Sequence, residues 1–514
     1  MLVKTFGSAV YGVEAQTITV EVDVNNQGKS YVIVGLPDNA IKESLQRVES
    51  AIKSNGLYMP RTKLLVNLAP ADIKKTGTAF DLPIAIGTLA ATGQIEHVEQ
   101  LEKYVIMGEL SLDGIIKPIK GALPIAIQTK KEGFDGLIIP MLNAKEAAMV
   151  EGLKVYGVSH MKDVVGFFSK SNGIAPTIIN IAEAFELAQS NYDIDFSDVK
   201  GQHNIKRALE IAAAGGHNAI LIGPPGAGKT MLAKRLPTIL PPLSLEEALE
   251  TTKIHSVAGK LAENATIISR RPFRSPHHTI SDVALVGGGG HPVPGEISLA
   301  HHGVLFLDEL PEFKRTVLEV MRQPMEERKV TISRAKIALD FPASFMLIAS
   351  MNPCPCGYFN HPEKECTCPP GMVQKYLNKV SGPLLDRIDL HVEVTPVAFD
   401  ELSTTSNQEK SIHIRERVIA ARSIQSKRFD GCDAVYSNAA MSSKMLKEIC
   451  VIDAASTQLL KRAMEKLNLS ARAYDRILKV SRTIADLAFS AQIKTEHLAE
   501  AIHFRSLDRE NWGG

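Results

Sequence analysis

From Ile18 to Val24, apolar Ile18, Val20, Val22 and Val24 alternate with Thr19, Glu21 and Asp23, the period-two pattern of a half-buried strand. Val32-Ile33-Val34 reads as its hairpin partner. The period then changes. Ile41, Leu45, Val48 and Ile52 recur at helical spacing, starting near Asp38 and stopping at Asn55-Gly56, residue types that cap helix ends. The first 170 residues are therefore mixed α/β. Further on, the apolar runs Ala219 to Ile222, Val304 to Leu307 and Phe345 to Ala349 alternate with helical segments, which implies a parallel sheet. After about residue 396 the pattern turns helical, and Ile477, Val480, Ile484 and Leu487 form one apolar stripe. Polar stretches at Ser169-Lys170-Ser171-Asn172-Gly173 and Ser190-Asn191-Tyr192 bracket a linker. The expected division is 1–185 mixed α/β, 190–395 βα, and 396–514 all-α.

A length of 514 residues suits about three domains of ordinary size. With 45% hydrophobic and 22% charged residues the chain can bury a core in each. Lys plus Arg number 58 against 57 Asp plus Glu, so net charge makes no general case for nucleic acid or membrane, and any DNA binding must come from local patches. The N-terminus lacks a signal-peptide apolar core, and no apolar run reaches the roughly 18 residues of a membrane helix. The expectation is a cytoplasmic protein with no membrane partner. Four of the six cysteines crowd between Cys354 and Cys368, unlike a secreted disulfide framework, and point to metal.

The sharpest signal is Gly223-Pro224-Pro225-Gly226-Ala227-Gly228-Lys229-Thr230, directly after one apolar run and before helical Met231-Leu232-Ala233. This is G-x-x-x-x-G-K-T in its strand-to-helix setting. Its glycines let backbone amides turn inward around phosphates, Lys229 reaches the β- and γ-phosphates of ATP, and Thr230 ligates Mg²⁺. Val304-Leu305-Phe306-Leu307 delivers Asp308 beside that metal, with Glu309 placed to polarise the attacking water. A third apolar run ends at Asn352, which can orient water near the γ-phosphate or serve as a turn residue before Pro353. In Leu384-Leu385-Asp386-Arg387-Ile388-Asp389-Leu390, Arg387 either projects toward a neighbouring subunit's nucleotide or pairs with Asp386 or Asp389.

These elements in this order resemble the AAA+ family, its magnesium-chelatase-like branch, and nearly the whole chain looks like the ComM/YifB group of competence-associated ATPases. The resemblance implies that Asn352 is the sensor-1 residue, Arg387 the arginine finger, and Arg472, in preference to Arg476, sensor 2. It implies a hexameric helicase that drives branch migration during recombination of incoming DNA. Lys75-Thr76-Gly77-Thr78-Ala79-Phe80-Asp81 and Met107-Gly108-Glu109-Leu110 resemble the Lon protease domain, whose serine nucleophile falls at Ala79 and whose lysine falls near Leu123. Neither group is present, so proteolysis is excluded there. An expected scaffold or DNA platform remains. Lys74 and Lys75 are either phosphate contacts or a solvated pair.

Lys329 to Phe341 reads as a hairpin with a basic tip, which makes Arg334 and Lys336 candidate DNA-phosphate contacts or solvated charges. Phe273 to His291 is too glycine-rich for regular structure and reads as a second loop of that kind. Lys461 to Arg482 holds seven basic residues against two acidic ones, a DNA face or a solvated helix. Cys354, Cys356, Cys366 and Cys368 form two C-x-C pairs that can hold tetrahedral Zn²⁺, with His361 a substitute ligand and thiol chemistry the alternative. Cys432 and Cys450 read as core residues. A DNA-translocating homo-oligomer is preferred to a chelatase-type or chaperone-like ATPase that remodels a protein partner.

Overall fold

The computed structural model describes residues 1–25, 28, 30–169, 173–181, 185, 192–262, 266–290, 292–334, 337–361, 363–369, 371–396, 408–432 and 435–505. Of the expected linker stretches, Lys170 to Asn172, Ser190 and Asn191 lie outside these. The chain forms two compact units, Met1–Ala188 with Leu245–Ser269, and Gln189–Ser244 with Arg270–Gly514.

In the first unit, β1 (Leu2–Tyr11) pairs antiparallel with β2 (Glu14–Asn25), and the alternation of β2 buries Ile18, Val20 and Val22. β3 (Tyr31–Val34) is not the hairpin partner of β2. It pairs parallel with β4 (Lys63–Ala69), and β4 lies antiparallel to β2. Both edges of β2 are taken, by β1 and β4, and the helix Asn39–Ser54 between β3 and β4 supplies the crossover that their parallel pairing needs. That helix is capped as its sequence suggests, with the Asp38 carboxylate accepting from Ile41 N at 2.9 Å and Asn55 at the C-cap. Beyond β1 come β5 (Tyr104–Ile106), the short ribbon β6 (Glu109–Leu110) with β7 (Ile116–Lys117), and then β8 (Gly136–Pro140) and β9 (Lys154–Val158). The sheet order is β3-β4-β2-β1-β5-β8-β9. The helix Asp81–Ala91 is buried along its whole length.

This unit also takes in the helix Leu245–Ala258, sixty residues beyond the expected boundary at 185. Ser256 O accepts from Gly121 N at 3.2 Å, at the start of the helix Ala122–Lys131, and Lys253 pairs with Glu14 at 2.8 Å. The pair Lys74-Lys75 is split by burial. Lys75 is fully buried and donates from Nζ to the carbonyls of Gly35 and Pro70, so it is neither solvated nor free to meet phosphate.

The second unit holds a parallel sheet of β10 (Ala219–Ile222), β11 (Phe273–Arg274), β14 (Val304–Leu307), β17 (Met346–Met351) and β18 (Leu390–Glu393), in the order β11-β14-β17-β10-β18. β10, β14 and β17 are buried at every residue, which is why each is a continuous apolar run rather than an alternating one. Two ribbons stand off this sheet, β12 (Gly287–Gly288) with β13 (Val293–Pro294), and β15 (Lys329–Arg334) with β16 (Ile337–Pro342). The segment Phe273 to His291 is thus more ordered than its glycines suggest: it contains β11, the helix Asp282–Val286 and β12. The helices Ser411–Arg428, Ala471–Leu487 and Thr495–His503 follow, and their apolar faces share one core with the sheet, Ile477 and Ile484 beside Leu221 and Val392. Cys450 is buried, but Cys432 is exposed and not a core residue.

Candidate nucleotide site

The phosphate loop, Asp308 and Asn352 sit where strands of the parallel sheet deliver their C-terminal ends, the usual ligand crevice of such sheets, whereas Arg387 and Asp389 precede β18 at the strands' opposite ends. After β10 the chain turns through Gly223–Thr230 into the helix Lys229–Arg235. Gly223 has no alternative, since a Cβ there would stand 2.3 Å from Val394 O. Gly228 adopts φ +84, a left-handed conformation that glycine enters without penalty. Pro225 to Met231 line a cavity of about 390 Å³ together with Asp308, Glu309, Ser350, Met351 and Asn352.

Lys229 is buried, and its Nζ donates to Gly223 O at 2.6 Å, Pro224 O at 2.9 Å and Asn352 Oδ1 at 3.0 Å. Burial lowers its pKa to about 8, against the pull of Asp308 and Glu309. Thr230 Oγ1 donates to Asp308 Oδ2 at 2.7 Å, while the other carboxylate oxygen accepts from Ser350 Oγ and from Glu309 N at 3.1 Å. A carboxylate beside a hydroxyl is a hard oxygen donor set of the kind Mg²⁺ takes alongside phosphate oxygens. Glu309 is exposed, left-handed at φ 54, and carries its carboxylate 3.8 Å from His278 Nδ1. The sequence assigns neither Ser350 nor His278 a role beside the nucleotide. Ser350 is the polar interruption in an otherwise apolar strand, a signal that was available; nothing short of the fold places His278 beside Glu309.

The arginines are placed differently from one another. Arg387 is buried, donates to Pro383 O at 2.6 Å and pairs with Glu326 at 2.6 Å, not with Asp386 or Asp389. Asp389 pairs instead with Arg476 at 2.9 Å, next to His217 at 3.5 Å. Arg476, with Asn218 N and His217, holds the buried Asp389 carboxyl well below the usual carboxylate range, although burial itself pushes the other way. Arg476 is therefore committed, and Arg472 stays 61% exposed, 3.9 Å from Asp386. Of the basic run Lys461 to Arg482, Arg476, Lys479 and Arg482 face inward to Asp389, the carbonyls of Ala439 and Met441, and Asp486. Lys461, Arg462, Lys466 and Arg472 remain at the surface. Lys336 and the side chain of Arg334 lie outside the described residues.

The four cysteines converge. Cys354 Sγ stands 3.2 Å from Cys356 Sγ and 3.7 Å from Cys366 Sγ, and the sulfurs of all four lie within 4.8 Å of one another. Phe359 N donates to Cys354 Sγ at 3.3 Å. Cys356 resists the upward push of burial and is drawn to about 5 by the amides of Tyr358 and Thr367 and by its sulfur neighbours. Amides aimed at sulfur favour thiolate, the form that binds metal. His361 instead accepts from Glu363 N and Lys364 N at 3.0 and 3.1 Å.

In the first unit Ala79 offers only a methyl group. Its neighbour Thr78 donates to Glu109, and Leu123 is buried, its amide donating to Glu146 Oε1 at 2.9 Å. Asp81 is buried against Arg47 at 2.7 Å, and its burial raises the carboxyl to about 6 despite that partner.

Three family models match successive stretches: subunit ChlI of Mg-chelatase over residues 20–143, magnesium chelatase, subunit ChlI, over 195–402, and magnesium chelatase, subunit ChlI C-terminal, over 408–505. Fold and site together define a magnesium-chelatase-like AAA+ ATPase, a class that implies ATP and Mg²⁺. Competence protein ComM of Haemophilus influenzae is 42% identical over 509 residues, 99% of this chain and 98% of that one. The protein YifB of Escherichia coli is 42% identical over 506 residues, 98% and 96% of the two chains. Lon protease 2 of Bacillus subtilis is 32% identical over 154 residues, 27% of this chain and 26% of that one. The chain belongs to the ComM/YifB family. No helix among the described residues is long and apolar enough to cross a membrane.

Proposed function

We propose that the protein is an ATP-driven DNA motor, a cytoplasmic hexamer that moves branch points during recombination of DNA taken up in transformation. The observation that carries this reading is the near full-length 42% identity to a protein named for competence. The antiparallel ribbon of β15 and β16, which lies between the Asp308 and Asn352 strands along the chain, supports it, because a hairpin whose turn sequence carries Arg334 and Lys336 suits contact with a nucleic-acid backbone. In this reading Lys229 and the loop amides hold the triphosphate, while Thr230 and Asp308 hold Mg²⁺. Glu309 accepts the proton of the attacking water, and Asn352 orients that water. Arg387 reaches a neighbouring subunit's nucleotide after leaving Glu326, and Arg472 senses the γ-phosphate. The four cysteines hold a structural Zn²⁺, for which four converging sulfurs fit. The ATPase core is one domain within 190–395, apart from Leu245–Ser269, which joins the first unit, and is followed by a helical lid over 396–514.

A second reading is favoured by the chelatase descriptions of all three matching models: an ATPase that remodels a protein partner. Measuring ATPase activity with branched DNA, linear DNA, a porphyrin and casein separates the two. Branched DNA should stimulate most. Stimulation by casein with none from any DNA would remove the motor reading.

A further inference from the structure

The four-cysteine turn begins two residues after Asn352, and it leans on the phosphate loop. Gly357 sits at φ +85, and a Cβ on it would stand 2.4 Å from Pro225 Cδ. Gly357 N donates to Cys354 O at 3.0 Å, and Phe359 N to Cys354 Sγ at 3.3 Å, so the stretch that presses on Pro225 is wound directly around one sulfur. Beside this contact Gly357, Phe359 and Asn360 wall a cavity of about 90 Å³ whose opposite wall is Gly223 and Pro224. On its inner side the same chain segment holds Lys229 through Asn352 Oδ1 at 3.0 Å. The phosphate loop is thus supported from two directions by a segment that four sulfurs organise.

From this we infer that the cysteine turn is a metal-dependent buttress of the phosphate loop, so that metal occupancy sets the affinity for ATP. The inference rests on the zinc reading proposed above. Four thiolates within 4.8 Å repel one another unless a cation binds them. With Zn²⁺ in place the turn is cross-linked at four points and presents a fixed surface to Pro225. When the metal leaves, the turn loses its four cross-links. The loop then occupies its ATP-ready form only part of the time, and apparent affinity falls by that fraction. A turn that kept this form about a tenth of the time would weaken ATP about tenfold. Linkage makes the effect reciprocal: bound ATP must tighten the metal by the same factor.

The test uses the full-length protein, with metal measured by mass spectrometry and affinity by titration with a fluorescent ATP analogue. Removing zinc with a chelator should weaken the analogue by about fivefold or more, and adding zinc back should restore it. Saturating MgATP should slow zinc release to the chelator. Gly357→Ala should keep one zinc per chain yet lose affinity, because its methyl group meets Pro225. Gly357→Ala with Pro225→Ala should regain affinity relative to Gly357→Ala, once Pro225→Ala alone is used as the reference. Stripped protein that stays folded by circular dichroism and binds the analogue as tightly as loaded protein would overturn the buttress while leaving the zinc site standing. So would a zinc-loaded Gly357→Ala of unchanged affinity, which decides the matter even if stripping unfolds the chain. A wild-type chain that neither contains zinc nor binds it would overturn the zinc reading itself.

Discussion

The Lys229 ammonium is the group on which ATP affinity should depend most visibly with pH. It is buried among two carbonyls and the Asn352 amide oxygen, and burial brings its pKa down to about 8. A triphosphate binds the charged form, since a charge-assisted bond to phosphate replaces contacts to neutral oxygens. Protein with Lys229 neutral must therefore take up a proton before it binds. At pH 7.5 most chains carry that proton, and at pH 9.5 only a few per cent do, so ATP should bind about 25-fold more weakly at the higher pH. The sign follows from the lowered value: affinity is flat well below pH 8 and falls above it. The same shift acts on folding, because the native chain holds fewer protons than the unfolded one between about pH 8 and 10.5, and this contribution makes stability rise with pH across that window. Nucleotide titrations at constant ionic strength from pH 7.5 to 9.5 measure the effect. Lys229→Arg, whose guanidinium keeps its charge throughout, should flatten the profile, and Lys229→Ala should lose affinity at every pH. A wild-type profile that stays level to pH 9.5 would refute the assignment of Lys229 as the phosphate cation.

Glu309→Gln should keep ATP affinity and lose about 10²- to 10⁴-fold in turnover, measured by phosphate release; normal turnover would remove Glu309 as the base. Arg387→Ala should cut turnover by about 10³ or more without weakening ATP, and should poison wild-type subunits in mixed assemblies. Mixtures whose activity simply averages that of the two proteins would argue against a finger acting between subunits. Asp389→Ala leaves the buried Asn218 amide without its acceptor and the half-buried Arg476 without its partner, and should cost about 1–3 kcal/mol in urea unfolding. Because the Asp389 carboxyl is depressed, its stabilisation is present above about pH 4 and lost as pH falls below that, so the wild-type and variant curves should converge in acid.

What could be read along the chain was local. Each of β10, β14 and β17 is a buried, mainly apolar run that stops at a residue with a part in the site, Gly223, Asp308 and Asn352, so strand and site announce each other. The helix Asn39–Ser54 was legible for the same reason, its caps and its stripe agreeing. Partnership was not. Alternation identifies β2 and β3 as strands but says nothing about which edges meet, and it is β4, inserted between them, that keeps them apart. Burial was equally hidden at Lys75, where a doublet of lysines looks solvated until the carbonyls of Gly35 and Pro70 are seen to enclose one of them. The arginine contacts depend on residues far apart in sequence, Arg387 on Glu326 and Arg476 on Asp389, which spacing alone cannot reveal.

The excursion of Leu245–Ser269 into the first unit ties synthesis to folding. A ribosome that has just released residue 188 has not yet made the helix that covers Ala122–Lys131, so the leading unit must wait until the phosphate loop has also emerged. Cleavage near residue 190 would likewise liberate a body missing one of its own walls. The two units are bound into a single hereditary object, which neither truncation nor exchange between relatives can separate at one cut.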